Sequence, residues 1–159
     1  MATTNPRSVR LDEPELRSWR GLLRAHAKLI KALDAELEAA HGLPLISYEV
    51  LMYIGDSEGE RMRMHDLASS ILLSRSGLTR LVDRLEREGL LCRRSCSSDA
   101  RGAFACLTTK GRATLDAARA THLAGVRAMF LDHFTAHEQE LLGGFWERLN
   151  GPGSDAPWR

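Results

Sequence analysis

The chain has 159 residues, 43% apolar and 27% charged, and a formal net charge of +1. It is long enough to bury a core without metal or disulfide staples, and no apolar run approaches the roughly 18 residues that a membrane span requires. The near-zero net charge excludes a uniformly basic polyanion binder, but the charge is unevenly spread. Between Ser74 and Arg112 nine basic residues face four acidic ones, a local excess of +5 that leaves −4 on the remainder. That asymmetry predicts one electropositive working surface on a neutral-to-acidic body.

The opening "MATTNPRSVR" carries neither an apolar core nor a cleavage motif, so residues 1–13 are expected to be a disordered arm of a cytoplasmic protein. From Pro14 to about His41, the residues Leu16, Trp19, Leu23, Ile30, Leu33 and Leu37 recur at helical spacing, with Pro14 suited to a first turn. Such a helix extends roughly 42 Å. That exceeds what a domain of this size needs, so part of its apolar stripe is expected to pack on another chain.

"HGLP" ends it, and Ser47 reads as the N-cap of a second helix bearing Val50, Leu51 and Ile54, which "GDSEGE" closes. A third helix, about Met64 to Ile71, precedes a tight connection to a fourth, capped by Ser74 and running to about Glu88. This is a helix-turn-helix pattern. Helical periodicity is lost from Leu90 to Leu107, where "LLCRRSC" and "GAFACL" flank the loop "SSDAR" and predict a β-hairpin turning about Asp99. Thr108 or Thr109 opens a fifth helix whose stripe runs Leu115, Ala118, His122, Val126, Met129, Phe130 and His133. "TAHE" is a capping box for a sixth helix that should bury Leu141, Leu142, Phe145 and Leu149. Residues 151–159 read as a disordered tail. The predicted class is therefore mainly α with a small β-hairpin.

The fourth helix carries the functional signal. At 100° per residue, Leu78, Leu81, Val82 and Leu85 form its core side, while Ser76, Thr79, Arg80, Asp83 and Arg87 face away. Arg75 lies at the edge, and Arg84 falls one turn beyond Arg80. An arginine can pair with guanine O6 and N7, threonine can touch a thymine methyl, and serine with the first backbone N–H groups can hold a phosphate. The hairpin brings Arg93, Arg94 and Arg101 to the same end, with Asp99 placed to hold Arg101, in a loop small enough for a minor groove. Helix-turn-helix and basic hairpin together form a winged helix, which predicts binding to double-stranded DNA.

Across residues 15–149, and most strongly at "LASSILLSRSGLTRLVDRLEREGLL" followed by "SSDARGAFACLTTKG", the chain resembles the MarR family of bacterial transcription regulators. The resemblance implies one domain over 14–150. Residues 14–41 and 109–149 supply dimerisation helices, 47–107 form the winged helix-turn-helix lobe, and the homodimer binds a pseudo-palindromic operator. It assigns Ser74, Arg75, Ser76, Thr79 and Arg80 to the major groove or phosphates, and Asp99 and Arg101 to the wing. Ala100 stands where many members have a second arginine. The family also implies a cleft for a small molecule, commonly an aromatic acid, for which Trp19, His26, Tyr48 and Met52 are the residues at hand. A repressor released by ligand is the expected function.

Other chemistry is thinly represented. Cys92 and Cys106 lie opposite in a hairpin centred on Asp99, which leaves a thiol-based redox regulator as an alternative, along with a winged helix recruited to bind protein. The histidines lack metal-ligand spacing apart from His133 and His137, so no metal or cofactor is expected. No phosphate loop, paired carboxylates or nucleophile elbow suggests an enzyme.

Overall fold

The computed structural model describes residues 10–71, 73–96 and 99–151, and at 95, 96 and 99–102 the backbone only. Both expected termini therefore fall largely outside the described residues. Helix α1 spans Glu13–His41: Asp12 accepts from the Glu15 N–H at 2.8 Å while the Glu15 carboxylate accepts from the Asp12 N–H at 2.9 Å. This reciprocal cap satisfies amides that a helix start leaves without partners. Gly42 stops α1 at φ 60°, a left-handed conformation natural to glycine, and its N–H reaches the Glu38 carbonyl.

Helix α2 spans Leu45–Gly55, so it begins two residues before the expected cap. The Asp34 carboxylate on α1 accepts from the Leu45 N–H at 2.8 Å, doing from a distance what Ser47 was expected to do locally. Ser47 instead lies inside the helix, 1% exposed. Nearly every other side chain of α2 is buried, because α1, α5 and the sheet pack around it.

After a short 3-10 turn at Glu58–Glu60 comes β1 (Arg61–Arg63), then α3 (Met64–Ser70), α4 (Arg75–Arg87), β2 (Leu91–Cys96) and β3 (Asp99–Leu107). The sheet is antiparallel in the order β1-β3-β2. The hairpin was legible and β1 was not, because three residues are too few to display alternation. Thr108 caps α5 (Thr109–Met129) and also donates its hydroxyl to the Gly89 carbonyl at 2.7 Å. One residue thus ties the start of α5 to the root of the hairpin. A Cβ on Gly111 would lie 2.0 Å from the Leu90 carbonyl oxygen, so only glycine permits that approach.

Helix α5 stops at Met129, short of its expected extent. Phe130 leaves helical geometry, His133 falls in a 3-10 turn at Leu131–His133, and the Gln139 side chain donates to the Leu131 and Phe134 carbonyls there. The predicted Thr135–Glu138 capping box opens α6 (Ala136–Asn150). No residue of α6 is buried within the chain: Phe145 is 47% and Leu149 69% exposed. The expected burial of that face is not met inside a single subunit. The α1 side chains Trp19, Leu22, Leu23 and Ile30 are likewise exposed, whereas Leu51, Ile54, Leu67, Leu78, Leu85 and Leu115 form a sealed core between α2, α3, α4 and α5.

Candidate nucleic-acid interface and effector cavity

The α4 start is built by its own sequence. The Ser74 hydroxyl accepts from the Gly77 N–H at 3.1 Å, and Leu78, Val82 and Leu85 bury one face with Leu81 at its margin. This fixes the opposite face outward. Ser74, Arg75, Ser76, Thr79 and Arg80 are all exposed, and the Thr79 hydroxyl donates to the Arg75 carbonyl at 2.8 Å. With its hydroxyl used inside the helix, Thr79 has its methyl group to offer a ligand. Among the described residues, the Arg75 and Arg80 guanidinium groups make no hydrogen bond or ion pair.

Further along α4, Arg84 reaches back to the body of the fold. Arg84 was expected on the DNA-facing side, yet its Nη2 donates to the Ser47 hydroxyl on α2 at 2.6 Å. The buried hydroxyl of α2 is an acceptor within reach, and it draws the side chain inward. Arg93, expected as a wing contact, spans two α4 carboxylates, with Nη2 2.5 Å from Asp83 and Nη1 3.1 Å from Glu86. The Glu86 carboxylate also accepts from the Arg93 N–H. Arg93 therefore clamps the root of the hairpin to α4, while its neighbour Arg94 points to solvent.

The hairpin register pairs Leu91 with Leu107 and continues to Ser95 with Ala103, then shifts so that Cys96 pairs with Asp99. The symmetric turn expected about Asp99 is thus replaced by a bulge at its tip. Asp99 and Arg101 lie on the β3 backbone, and their side chains are outside the described residues. Arg61 and Arg63 escaped the sequence reading. Both stack over the Phe104 ring, at 5.5 and 5.4 Å from its centroid, and the three residues "RMR" are too short a run to have signalled it.

Cys92 and Cys106 are directly paired, as the register argument expected. Both are free thiols, and burial first, then the neighbouring Cys92, pushes the Cys106 thiol up. A thiol shifted toward its protonated form is the poorer nucleophile, so burial does not activate Cys106. Among the described residues no group of three His, Cys, Asp or Glu side chains could hold a metal.

A cavity of about 360 Å³ lies between α1, α2 and α5, with Leu33, Tyr48, Met52, Asp56, Arg119 and His122 in its wall. Tyr48 and Met52 were expected there. Trp19 and His26 are exposed on α1 and do not line it. The residues missed are Asp56, Arg119 and His122. Arg119 reaches Asp56 at 2.5 Å, and this hydrogen bond holds the guanidinium pKa above its ordinary value. The His122 ring packs on Tyr48 with centroids 4.6 Å apart, and burial lowers its pKa. Burial also pushes the Glu49 carboxyl and the Tyr48 phenol up. Arg119 and His122 stand three residues apart on α5, a spacing that places both on one helical face.

A sequence model described as MarR family matches residues 41–102. The fold superposes on AbsC, a MarR family transcriptional regulator from Streptomyces coelicolor, with a TM-score of 0.82 and 34% identity, over 90% of this chain and 93% of that one. It superposes on Sco3205, a MarR family transcriptional regulator of the same organism crystallised in complex with DNA, with a TM-score of 0.85 and 34% identity, over 94% and 99% of the two chains. The HTH-type transcriptional repressor YetL of Bacillus subtilis (strain 168) is 28% identical over 116 residues, 70% of this chain and 69% of that protein.

Proposed function

The chain belongs to the MarR family of DNA-binding transcriptional regulators, and from that premise we propose that it acts in the cytoplasm as a homodimeric repressor of a pseudo-palindromic operator, released by a small molecule. MarR family regulators are transcription factors, not enzymes. The division of labour proposed is a DNA-binding lobe over residues 47–107 and dimerisation helices over 14–41 and 109–149. Two guanidinium groups that pair with no described residue, Arg75 and Arg80, on the outer face of a helix whose other face is locked into the core, carry this reading.

Arg80 takes the base-reading role and Arg75, with Ser74 and Ser76 at the positive end of the helix dipole, the phosphate role. Thr79 meets a thymine methyl. Arg94 and the Asp99–Arg101 segment form the wing, aimed at the adjacent minor groove. Exposed apolar side chains on α1 and α6 give a second copy its contact surface, including Trp19, Leu23, Phe145 and Leu149. A two-fold axis then sets recognition helices about 34 Å apart, one turn of DNA. The relative crystallised with DNA and the relative named as a repressor support the class of partner and the sign of regulation. Because the cavity is walled by both a lobe helix (α2) and a dimerisation helix (α5), a ligand there can change how the lobes are held.

The test is a mobility shift on the DNA flanking the protein's own coding sequence, across a salt series. Each phosphate neutralised contributes a slope of about −0.9 in log K against log salt. Arg75→Ala should reduce the slope by about 1 and weaken all sequences alike. Salt-insensitive binding, or a strictly monomeric protein in sedimentation, rejects the reading and favours a protein-interaction role for the winged helix.

A further inference from the structure

The outer face of the sheet carries two thiols that the DNA-binding reading leaves idle. Cys92 on β2 pairs in register with Cys106 on the central strand β3, and Arg61 on β1 pairs with Cys106 from the other side. Arg94 and Phe104 form the next pair on the same face, and the Arg61 guanidinium lies over the Phe104 ring. The two thiols share a hydrogen bond, so their sulfurs point at one another. Cys92 is partly exposed while Cys106 is 7% exposed. A small ion can therefore enter past Cys92 and be closed in by Cys106.

The ladder sets the span. The Thr108 N–H donates to the Leu90 carbonyl, and the register runs unbroken from there, so Cys92 and Cys106 occupy a hydrogen-bonded pair. Such a pair holds its Cβ atoms about 5.5 Å apart, beyond the roughly 3.5–4.5 Å that a direct sulfur–sulfur bond needs. One atom placed between the sulfurs suits the wider span.

The ligand set and the charge narrow what that atom is. Among the described residues no third His, Cys, Asp or Glu joins the two thiols, too few ligands for the four-coordinate sites of zinc. Thiolate sulfur selects soft ions such as Cu(I) over those that prefer oxygen. Burial, then the neighbouring Cys92, raises the Cys106 pKa, and Arg94 and Arg61 lower it. A coordinating thiol gives up its proton outright. Two thiolates about a monovalent ion then leave a single net negative charge beside those two guanidinium groups, whereas a divalent ion would leave none for them to balance.

We propose that Cys92 and Cys106 form a two-coordinate site for a soft monovalent cation, of the class of Cu(I) and Ag(I), with Arg61 and Arg94 balancing the anionic complex. Two S–H bonds break and two sulfur–metal bonds form, both protons pass to solvent, and no electron is transferred. The site is separate from the cavity and independent of the ligand-release reading.

In the test, the whole chain, reduced and kept free of oxygen, is titrated with Cu(I) held by the chromophoric chelator bathocuproine disulfonate, and loss of colour reports transfer. One Cu(I) per subunit should transfer, and X-ray absorption should find two sulfur neighbours with no nitrogen or oxygen. Cys92→Ser should abolish transfer, as should Cys106→Val, a residue suited to a buried strand position. Cys96→Ser should retain it. Arg61→Gln combined with Arg94→Gln should weaken affinity about tenfold, the low end for groups that support metal ligands from outside the coordination shell. No transfer to the unaltered protein, or three or more ligand atoms around copper, overturns the proposal without requiring any variant to fold. So does transfer that survives the loss of Cys92 or depends on Cys96. Unchanged affinity in the arginine variant overturns the charge balance on which the choice of a monovalent ion rests.

Discussion

Among the described residues, polar groups go unpaired both on the outer face of α4 and in the wall of the cavity, and the two settings differ in what that costs. On the outer face of α4, Arg75 and Arg80 lie in water and need no protein partner, so their idleness is nearly free. In the residues that wall the cavity, Asp56 Oδ2 and His122 Nδ1 are buried with no hydrogen-bond partner among the described residues, and a buried group without a partner costs about 1–3 kcal/mol. Exposed charge is thus held ready for a polyanion at no expense to folding. The buried unpaired groups are a standing destabilisation. Removing a group from each region should have opposite consequences for stability and for binding.

The largest effect belongs to the exposed side. Arg80→Ala should lower operator affinity by about 1–3 kcal/mol per half-site and relax base preference at one position. Thermal stability should stay within about 0.5 kcal/mol, as for surface changes that break no contact. Fluorescence anisotropy on operator variants and a thermal melt measure the two quantities. A drop in melting temperature that tracks the loss of affinity would show that Arg80 supports the fold.

Between these extremes lie arginines that the sequence could not sort. Arg80 and Arg84 are one helical turn apart and look alike in a helical projection, yet Ser47, 37 residues earlier, draws Arg84 inward. A contact between distant segments leaves no local periodic trace, and Ser47 itself read as a cap because serine before an apolar run is the usual sign of one. Arg93 was ambiguous for the same reason: its partners Asp83 and Glu86 lie on the preceding helix. By contrast α1, α3, α4, the hairpin register and the Thr135–Glu138 box were legible, since caps, stripes and strand pairing are local signals. The cavity was half legible. Tyr48 and Met52 stood out by type, but Asp56 closes α2 and Arg119 sits mid-helix, and only packing brings them within 2.5 Å.

Ser47→Ala is the intermediate case, and it sharpens the distinction. It takes the acceptor from Arg84, whose side chain is 42% exposed and can turn partly to water. A loss of about 1 kcal/mol in folding stability is therefore expected, below the full cost of an orphaned buried charge. Operator affinity should change little, measured beside Arg80→Ala in the same assay. Arg93→Ala should cost about 1 kcal/mol or less, since its ion pairs are partly exposed. Its readout is faster hydrogen exchange at the β2 amides rather than loss of base preference. If Arg84→Ala weakens operator binding as much as Arg80→Ala while leaving the melt unchanged, α4 uses its whole length on DNA and the division drawn here is wrong.

The smallest effect comes from the buried side and has the opposite sign. His122→Phe replaces an imidazole whose Nδ1 has no hydrogen-bond partner among the described residues by an apolar ring of similar shape, a change expected to be nearly neutral or slightly stabilising. Its pH dependence is the sharper readout. The groups facing His122 in the cavity wall are Tyr48, Glu49 and Asp56 from α2 and its end and Arg119 from α5, and burial holds the folded pKa below the ordinary 6.5. Between that lowered value and 6.5 the unfolded chain binds a proton that the folded chain refuses, so stability is full above 6.5 and falls as the pH drops through this window. His122→Phe removes that contribution. Urea midpoints at about pH 7.5 and about pH 5.5 should therefore converge in the variant relative to the parent, the other histidines being common to both. A larger acid loss in the variant would mean that His122 is charged in the folded protein and paired with a carboxylate such as Asp56.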